Sequence, residues 1–97
     1  MKALAGVFDV AEVETPYGGA AVSYEALGYA WLKLGARRRR ERTGAGGTRA
    51  VETVTAETRA DTRLAEGRVL RFGGADWRIV SGDCVGGRAI LGLERVR

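Results

Sequence analysis

The sequence predicts a mainly all-β domain: a small antiparallel β-barrel or sandwich with a long basic loop and one short helical turn. The 97 residues include 15 glycines but a single proline. Paired glycines supply the positive φ angles of tight hairpins. These pairs separate short apolar runs, and they fall at Gly18-Gly19, Gly46-Gly47, Gly73-Gly74 and Gly86-Gly87. About six short strands joined this tightly close most easily as one domain over residues 1–97.

The first third of the chain predicts a hairpin with a long second strand. Residues 4–14 form the first strand, and a turn over 15–20 follows, where Pro16 presets φ. In residues 21–35, apolar side chains occur both at helical spacing and in strand-like alternation. Gly28 would cost a helix about 1 kcal/mol relative to alanine. We therefore expect one strand bent near Gly28, with a partly helical segment as the alternative.

The middle of the chain predicts a loop, a strand and a helical turn in succession. Residues 36–49 have no apolar periodicity and predict a mobile, arginine-rich loop. Residues 50–60 are rich in valine and threonine and predict a half-exposed strand. Residues 61–67 predict one helical turn, capped by Asp61 and ended by Gly67.

The last third predicts three strands joined by two hairpins. The strands cover residues 68–72, 76–80 and 88–96. Gly73-Gly74 joins the first two, and residues 81–87 join the last two.

The positive charge belongs to one segment. The chain carries a formal net charge of +4, from 16 basic and 12 acidic residues. Residues 37–49 hold six of the arginines and one glutamate, a net of +5. The other ten basic and eleven acidic residues leave a nearly neutral domain.

The composition argues against an enzyme. There is no histidine, which excludes Ser/His/Asp and Cys/His catalytic sets and removes the commonest general base. The single cysteine, Cys84, excludes an intrachain disulfide, and we expect it to be a plain small side chain in a turn. The absence of disulfides is typical of a protein made in a reducing cytoplasm. We expect no cofactor and no metal.

The arginines predict a surface that binds phosphates and does not recognise bases. No aromatic residue lies in the basic segment, whereas single-strand binders combine a basic groove with stacking aromatics. Such a surface binds phosphates of any sequence, and salt weakens it. The alternative is a solvated or acid-paired loop. The candidate DNA-contacting residues are Arg37, Arg38, Arg39, Arg40, Arg42 and Arg49. The candidate core or interface anchors are Tyr17, Trp31, Phe72 and Trp77.

Ordered short motifs cover almost the whole chain. They begin with Tyr17-Gly18-Gly19 and the stretch Ala30-Trp31-Leu32-Lys33-Leu34, and Thr58-Arg59 follows the basic segment. The set closes with Arg63, Gly67, Leu70, Gly74, Trp77, Ile79, Gly87-Arg88 and Leu91 through Val96. In this order the motifs resemble the head–tail joining proteins of long-tailed bacteriophages, also called head-closure or stopper proteins, with relatives in gene transfer agents.

The resemblance implies a structural role in a phage or phage-like particle. Copies of such a protein form a ring in the neck, below the portal and its adaptor and above the tail terminator. Sixfold symmetry is favoured and twelvefold is the alternative. Double-stranded DNA passes through the ring, and loops that point into the channel block its exit until delivery. Residues 35–49 occupy the position of that inward loop.

Two other functions remain open at this point. The first is a stand-alone nucleic-acid-binding barrel that uses the arginine-rich segment. The second is an accessory subunit of a host complex without a nucleic-acid role. Within the favoured function, the arginines face either DNA in the channel or an acidic surface of a neighbouring ring protein.

Overall fold

The computed structural model describes residues 1–44 and 46–96, which form a closed antiparallel barrel of six strands. The strands follow the order β1-β2-β3-β6-β5-β4 around the barrel. Every neighbouring pair runs antiparallel. The strands are β1 (Lys2–Glu14), β2 (Ala20–Gly44), β3 (Gly47–Arg59), β4 (Val69–Phe72), β5 (Ala75–Val85) and β6 (Arg88–Arg95). The predicted all-β barrel is confirmed.

Alternating side chains fill the barrel interior. In β6, for example, Ala89, Leu91 and Leu93 are buried, while Ile90 between them is exposed. This period of two is typical of a strand with one solvent-exposed face and one buried face. The largest fully buried side chain is that of Trp77. It joins a core of Ala5, Val7, Leu32, Val54, Ala56, Leu70, Phe72, Ile79, Ala89, Leu91 and Leu93.

Strand β2 is one long strand bent near Gly28, as the sequence predicts. It has 25 residues, which would extend about 80 Å if straight. The longest dimension of the whole molecule is 46 Å, so the strand must curve around the barrel. One register shift lies at Leu27 and Gly28, where Gly28 has a φ of 124°. A second lies between Leu34 and Arg37. Bulges of this kind bend a strand and increase its twist.

Two glycine pairs close tight hairpins. Gly73 and Gly74 have φ angles of 60° and 75°, and Gly86 and Gly87 have 58° and 77°. Positive φ at both central residues is the pattern of a type I′ turn. Strand β5 continues to Val85, because the second glycine pair closes the turn alone. Residues 81–85 are therefore strand rather than the predicted loop, and Cys84 is an exposed residue of that strand.

Two further predicted segments differ from the structure. Residues 36–44 and 47–49 belong to β2 and β3 instead of a loop. Ala45, in the same predicted loop, lies outside the described residues. The segment lacks apolar periodicity because both of its faces are exposed, and backbone pairing with β3 holds it extended. Residues 61–67 form turns and no helix, although the Asp61 carboxylate accepts the backbone N–H of Arg63 as a helix cap would.

No helix long and apolar enough to cross a membrane occurs in residues 1–44 and 46–96.

Candidate functional site

The arginine-rich segment extends beyond the barrel as a two-stranded ribbon. From Gly35 onward β2 pairs only with β3, and β3 pairs with β6 only from Thr53 onward. Residues 39–44 and 47–52 therefore pair with each other alone. Six residues of strand extend about 20 Å. We call residues 37–54 the arginine hairpin.

A bulge at the base of the hairpin sets which side chains face which way. Two residues of β2, at 35 and 36, lie opposite one residue of β3. A Cβ on Gly35 would come within 3.3 Å of the Thr55 carbonyl oxygen, so this position favours glycine. Beyond the bulge the pairing is regular from Arg37 opposite Val54 to Gly44 opposite Gly47. Residues directly opposite each other share a face, and neighbours along a strand alternate.

This alternation sorts the charges. Arg37 lies opposite the core residue Val54, so one face of the hairpin continues the barrel interior. We call this the barrel-side face, and its charged residues are Arg37, Arg39, Glu41 and Glu52. The opposite side, the outer face, carries Arg38, Arg40, Arg42 and Arg49. The barrel-side face thus has a net charge of zero, and the outer face has a net charge of +4.

Two barrel-side residues, Arg37 and Glu52, contact the barrel. The Arg37 guanidinium lies 5.2 Å from the centroid of the Trp77 ring, within the range of a cation–π interaction. Trp77 in turn stacks on Phe72, with ring centroids 5.6 Å apart and planes at 7°. Arg95 donates to the Glu52 carboxylate at 2.9 Å. These contacts fix the base of the hairpin to the core.

The outer face has few partners. Arg42 lies 3.6 Å from the Glu94 carboxylate, although the Arg42 side chain remains 59% exposed. Within residues 1–44 and 46–96, no carboxylate forms an ion pair with Arg38, Arg40 or Arg49. Arg42 and Arg49 lie directly opposite each other. A like-charge pair at this spacing destabilises a hairpin.

The four predicted anchors divide into two classes. Phe72 and Trp77 lie in the core, at 5% and 0% exposure. Trp31 and Tyr17 are 65% and 97% exposed. The last two therefore contribute nothing to the core of this chain, and an interface role for them stays a prediction.

Thr58 and Arg63 hold the edge of β2 where it separates from β3. The Thr58 hydroxyl donates to the Trp31 carbonyl oxygen at 2.7 Å. The Arg63 guanidinium donates to the carbonyl oxygens of Leu27 and Tyr29, both at 3.1 Å. All three accepting residues precede the first β2–β3 pair, which joins Lys33 and Glu57. Thr58 and Arg63 both belong to the ordered motifs of the sequence, which assigned them no role.

Asp61 orients Arg63 for this task. Its carboxylate accepts from the Arg63 side chain, with a closest distance of 2.6 Å, and from the Arg63 backbone N–H at 2.9 Å. Hydrogen bonding to the Arg63 side chain, followed by the backbone hydrogen bond, lowers the pKa of Asp61 below its ordinary value. The same side-chain contact raises the pKa of Arg63.

A cleft opens beside this edge between β2 and β3. It has a volume of about 860 Å³, and its basic lining residues are Lys2, Lys33, Arg59, Arg63 and Arg88. Its two acidic residues are already paired, Asp61 with Arg63 and Glu57 with Arg88. The cleft therefore keeps a net charge of +3. Two exposed aromatic residues, Tyr29 and Trp31, also line it.

A second hairpin extends from the other end of β2. Its strands and turn were predicted from the sequence, but its acidic charge was not. Residues 9–14 of β1 pair only with residues 20–25 of β2, because β4 pairing ends at Phe8. We call residues 9–25 the acidic hairpin. Its charged residues are Asp9, Glu12, Glu14 and Glu25, and no basic residue occurs between Lys2 and Lys33. A local count of charge along the sequence would have found it.

Comparison with solved structures finds chains of similar fold. The fold is similar to that of a chain in the virion of a native gene transfer agent particle, with a TM-score of 0.70 and 24% sequence identity. The match covers 96% of this chain and 93% of that chain. No protein-family model and no curated protein matches the sequence. At this identity the likeness establishes a shared fold over the whole chain.

Proposed function

We propose that this protein is a non-enzymatic structural component of the neck of a tailed phage or a phage-like gene transfer agent. Its copies form a ring between the portal and adaptor above and the tail below, and the ring gates the passage of DNA. The observation that carries the proposal is the likeness to a chain of a gene transfer agent virion over 96% of this chain. The ordered motifs that resemble head-closure proteins support it independently.

The arginine hairpin has the geometry that a DNA-facing element of such a ring needs. It extends about 20 Å past the barrel. Its outer face presents four arginines and no carboxylate. Contacts from guanidinium groups to phosphates carry no sequence information, which suits a channel that passes any DNA. A ring would repeat this face once per copy and surround the duplex with positive charge.

The like-charge pair in the hairpin favours a polyanionic partner. Arg42 and Arg49 repel each other across the ribbon, and an isolated two-stranded ribbon is marginally stable in water. DNA phosphates between these side chains would turn that repulsion into attraction. The hairpin is therefore expected to become more ordered on DNA than in solution. Gating, in this proposal, depends on the positions of paired strands and not on a loop.

The ring is tested by assembly. We expect the protein to form closed rings, sixfold favoured, when it is concentrated or mixed with its adaptor and tail-terminator proteins. Native mass spectrometry and negative-stain electron microscopy measure the copy number. A protein that stays monomeric alone and with those partners would contradict the proposal.

The DNA-facing role is tested with two neighbouring substitutions. Arg40→Gln removes one charge from the outer face, and Arg39→Gln removes one from the barrel-side face. If Arg40 contacts one phosphate, its loss lowers the slope of log binding constant against log salt by about 0.9. Arg39→Gln is the matched control and is expected to leave the slope unchanged. Equal effects of the two substitutions would refute the assignment of faces.

A stand-alone nucleic-acid-binding barrel is the second candidate. The observation that favours it is that the outer face already has a net charge of +4 in a single copy. It predicts tight, salt-dependent DNA or RNA binding by the monomer without ring formation. Fluorescence anisotropy at concentrations where the protein is monomeric distinguishes the two candidates.

A further inference from the structure

Two surfaces of this chain remain uncovered, and they complement each other. The first is the acidic hairpin, which carries four carboxylates. It also exposes apolar side chains, at Val13, Tyr17 and Val22, with exposures of 52%, 97% and 56%. The second is a strip of the barrel wall beside the cleft between β2 and β3.

The strip is built from cross-strand pairs of β1 and β2. Lys2 lies opposite Lys33, and Leu4 lies opposite Trp31. Tyr29 follows on the same face, opposite Gly6. Leu4, Tyr29 and Trp31 are 48%, 70% and 65% exposed. We call Lys2, Leu4, Tyr29, Trp31 and Lys33 the Trp31 face.

The Trp31 face and its cleft are basic as well as apolar. Among the described residues, no carboxylate forms an ion pair with Lys2, Lys33 or Arg59. Aromatic side chains are enriched at the centre of protein interfaces, and polar and charged side chains surround them at the rim. A single exposed apolar residue would need no such explanation, but this group is contiguous.

We propose that the acidic hairpin of one copy docks on the Trp31 face of the next copy. Glu12, Glu14 and Val22 lie on one face of the hairpin, and the two carboxylates of this face are opposite in charge to the cleft, which carries +3. The lengths also agree, since six residues of hairpin strand and residues 27–33 of β2 each extend about 20 Å. Docking of this face would cover Val22 and the exposed side chains of the Trp31 face in one interface.

The hairpin cannot cover this face within its own chain. Residues 20–25 and 27–33 are consecutive parts of β2, so the hairpin leads away from the face that it would have to cover. The contact is also made by side chains. The free edge of β2 is already used, because Thr58 and Arg63 donate to its carbonyls at 27, 29 and 31.

The resulting interface is heterologous, because it joins two different surfaces. Contacts of this type generate rings when the rotation between copies closes. The inference thus deepens the proposed function, on which it rests, by naming the surfaces that join the ring. It also leaves the arginine hairpin free for DNA, since none of its residues belongs to either surface.

A nucleic acid is the other ligand class that a basic cleft with aromatic residues fits. The observations favour a second copy for one reason. Nucleic acid in the cleft would leave the acidic hairpin, with its exposed Tyr17 and Val22, still uncovered. One protein–protein contact accounts for both surfaces.

The experiment is a charge swap between the two surfaces. One variant reverses the hairpin, with Glu12→Lys and Glu14→Lys. A second variant reverses the Trp31 face, with Lys2→Glu and Lys33→Glu. Each variant alone juxtaposes like charges, and we expect self-association at least about tenfold weaker than in the unmodified protein. An equimolar mixture is expected to assemble again, with copies of the two variants alternating and an even copy number.

Light scattering after size-exclusion chromatography measures the assembly. Tryptophan fluorescence reports the contact itself, because Trp31 is 65% exposed whereas Trp77 is fully buried. We expect a blue shift with rising concentration in the unmodified protein and in the mixture, but in neither variant alone. The matched control is Glu41→Lys with Glu66→Lys, the same charge change outside both surfaces, and it is expected to assemble normally.

The outcomes separate this inference from the proposed function. If the unmodified protein forms rings but the mixture stays monomeric, the proposed contact between the acidic hairpin and the Trp31 face is refuted. The proposed ring is not. If no ring forms under any condition, both fail. A third outcome would show that the cleft binds nucleic acid instead. In that case the variant with Lys2→Glu and Lys33→Glu loses single-stranded oligonucleotide binding, and the variant with Glu12→Lys and Glu14→Lys assembles normally.

Discussion

The barrel wall around Trp77 and the arginine hairpin are parts of the same sheet, yet different forces hold them. Trp77 is fully buried, stacks on Phe72 and belongs to a core of twelve side chains. The free part of the hairpin, residues 39–44 and 47–52, has backbone pairing on one side only, and its one buried side chain is Val51, at 7% exposure. Arg42 and Arg49, which lie opposite each other on the outer face, repel each other.

Under the proposed function, this difference predicts that the barrel wall determines stability and the outer face determines DNA binding. Substitutions in the barrel wall should change the free energy of unfolding and affect DNA only through folding. Substitutions in the outer face should change DNA binding and leave folding intact or improve it. The predictions below test this separation, beginning with the largest expected effect.

The two tryptophans should differ most. Trp77→Ala removes the largest buried side chain and should lower the free energy of unfolding by about 3–5 kcal/mol. Trp31→Ala removes an exposed ring and should change it by less than about 0.5 kcal/mol in the monomer. Urea denaturation at low protein concentration measures both. Similar losses in the two variants would mean that Trp31 packs against its own chain.

Thr58 should matter more than its neighbour in β3. Thr58 is buried, and Thr58→Val would leave the Trp31 carbonyl without its hydroxyl donor. We expect a loss of about 1–3 kcal/mol. Thr55→Val, at an exposed position of the same strand, is the control and should be nearly neutral. A neutral Thr58→Val would show that the edge of β2 does not depend on this hydrogen bond.

Arg49→Glu should separate stability from function. The substitution replaces a like-charge pair with an opposite-charge pair at positions 42 and 49, and should stabilise the protein by about 0.2–1 kcal/mol. The same change should weaken DNA binding, because it reverses a charge on the outer face. Thermal unfolding and anisotropy on one preparation measure both effects. A destabilised variant would contradict the description of this pair.

Acid should reveal the Asp61–Arg63 contact. The contact lowers the pKa of Asp61 in the folded protein, so its stabilising effect is present above about pH 4 and is lost as the pH falls through the lowered pKa. Asp61→Asn should therefore be less stable than the unmodified protein at neutral pH. The difference between the two should shrink as the pH falls toward 2. Unfolding curves that stay parallel over this range would show that the ion pair adds nothing.

The barrel could be predicted because its signals are local. Glycine pairs such as Gly73-Gly74 require positive φ, and alternation in β6 marks one buried face. The bend of β2 at Gly28 follows from the same residue-level argument. Trp77 in the core agrees with its place in an alternating strand.

The arginine hairpin could not be predicted as strand because its signal is not local. In residues 37–44 and 47–49 both faces are exposed, so no apolar periodicity indicates the strand. Its extended form depends on pairing with β3, which a sequence pattern does not display. A one-residue bulge at 35 and 36 decides which of its arginines face the barrel side and which face outward. Tyr17 and Trp31 show the same limit, because an exposed aromatic and a core aromatic look alike in sequence.

The most direct test is a cryo-electron microscopy map of the assembled ring with DNA in its channel. The account predicts that the arginine hairpins point toward the central axis, with Arg38, Arg40, Arg42 and Arg49 facing the duplex. The account would be contradicted by hairpins that lie against an acidic surface of a neighbouring protein, outside the channel, with no side chain near phosphate.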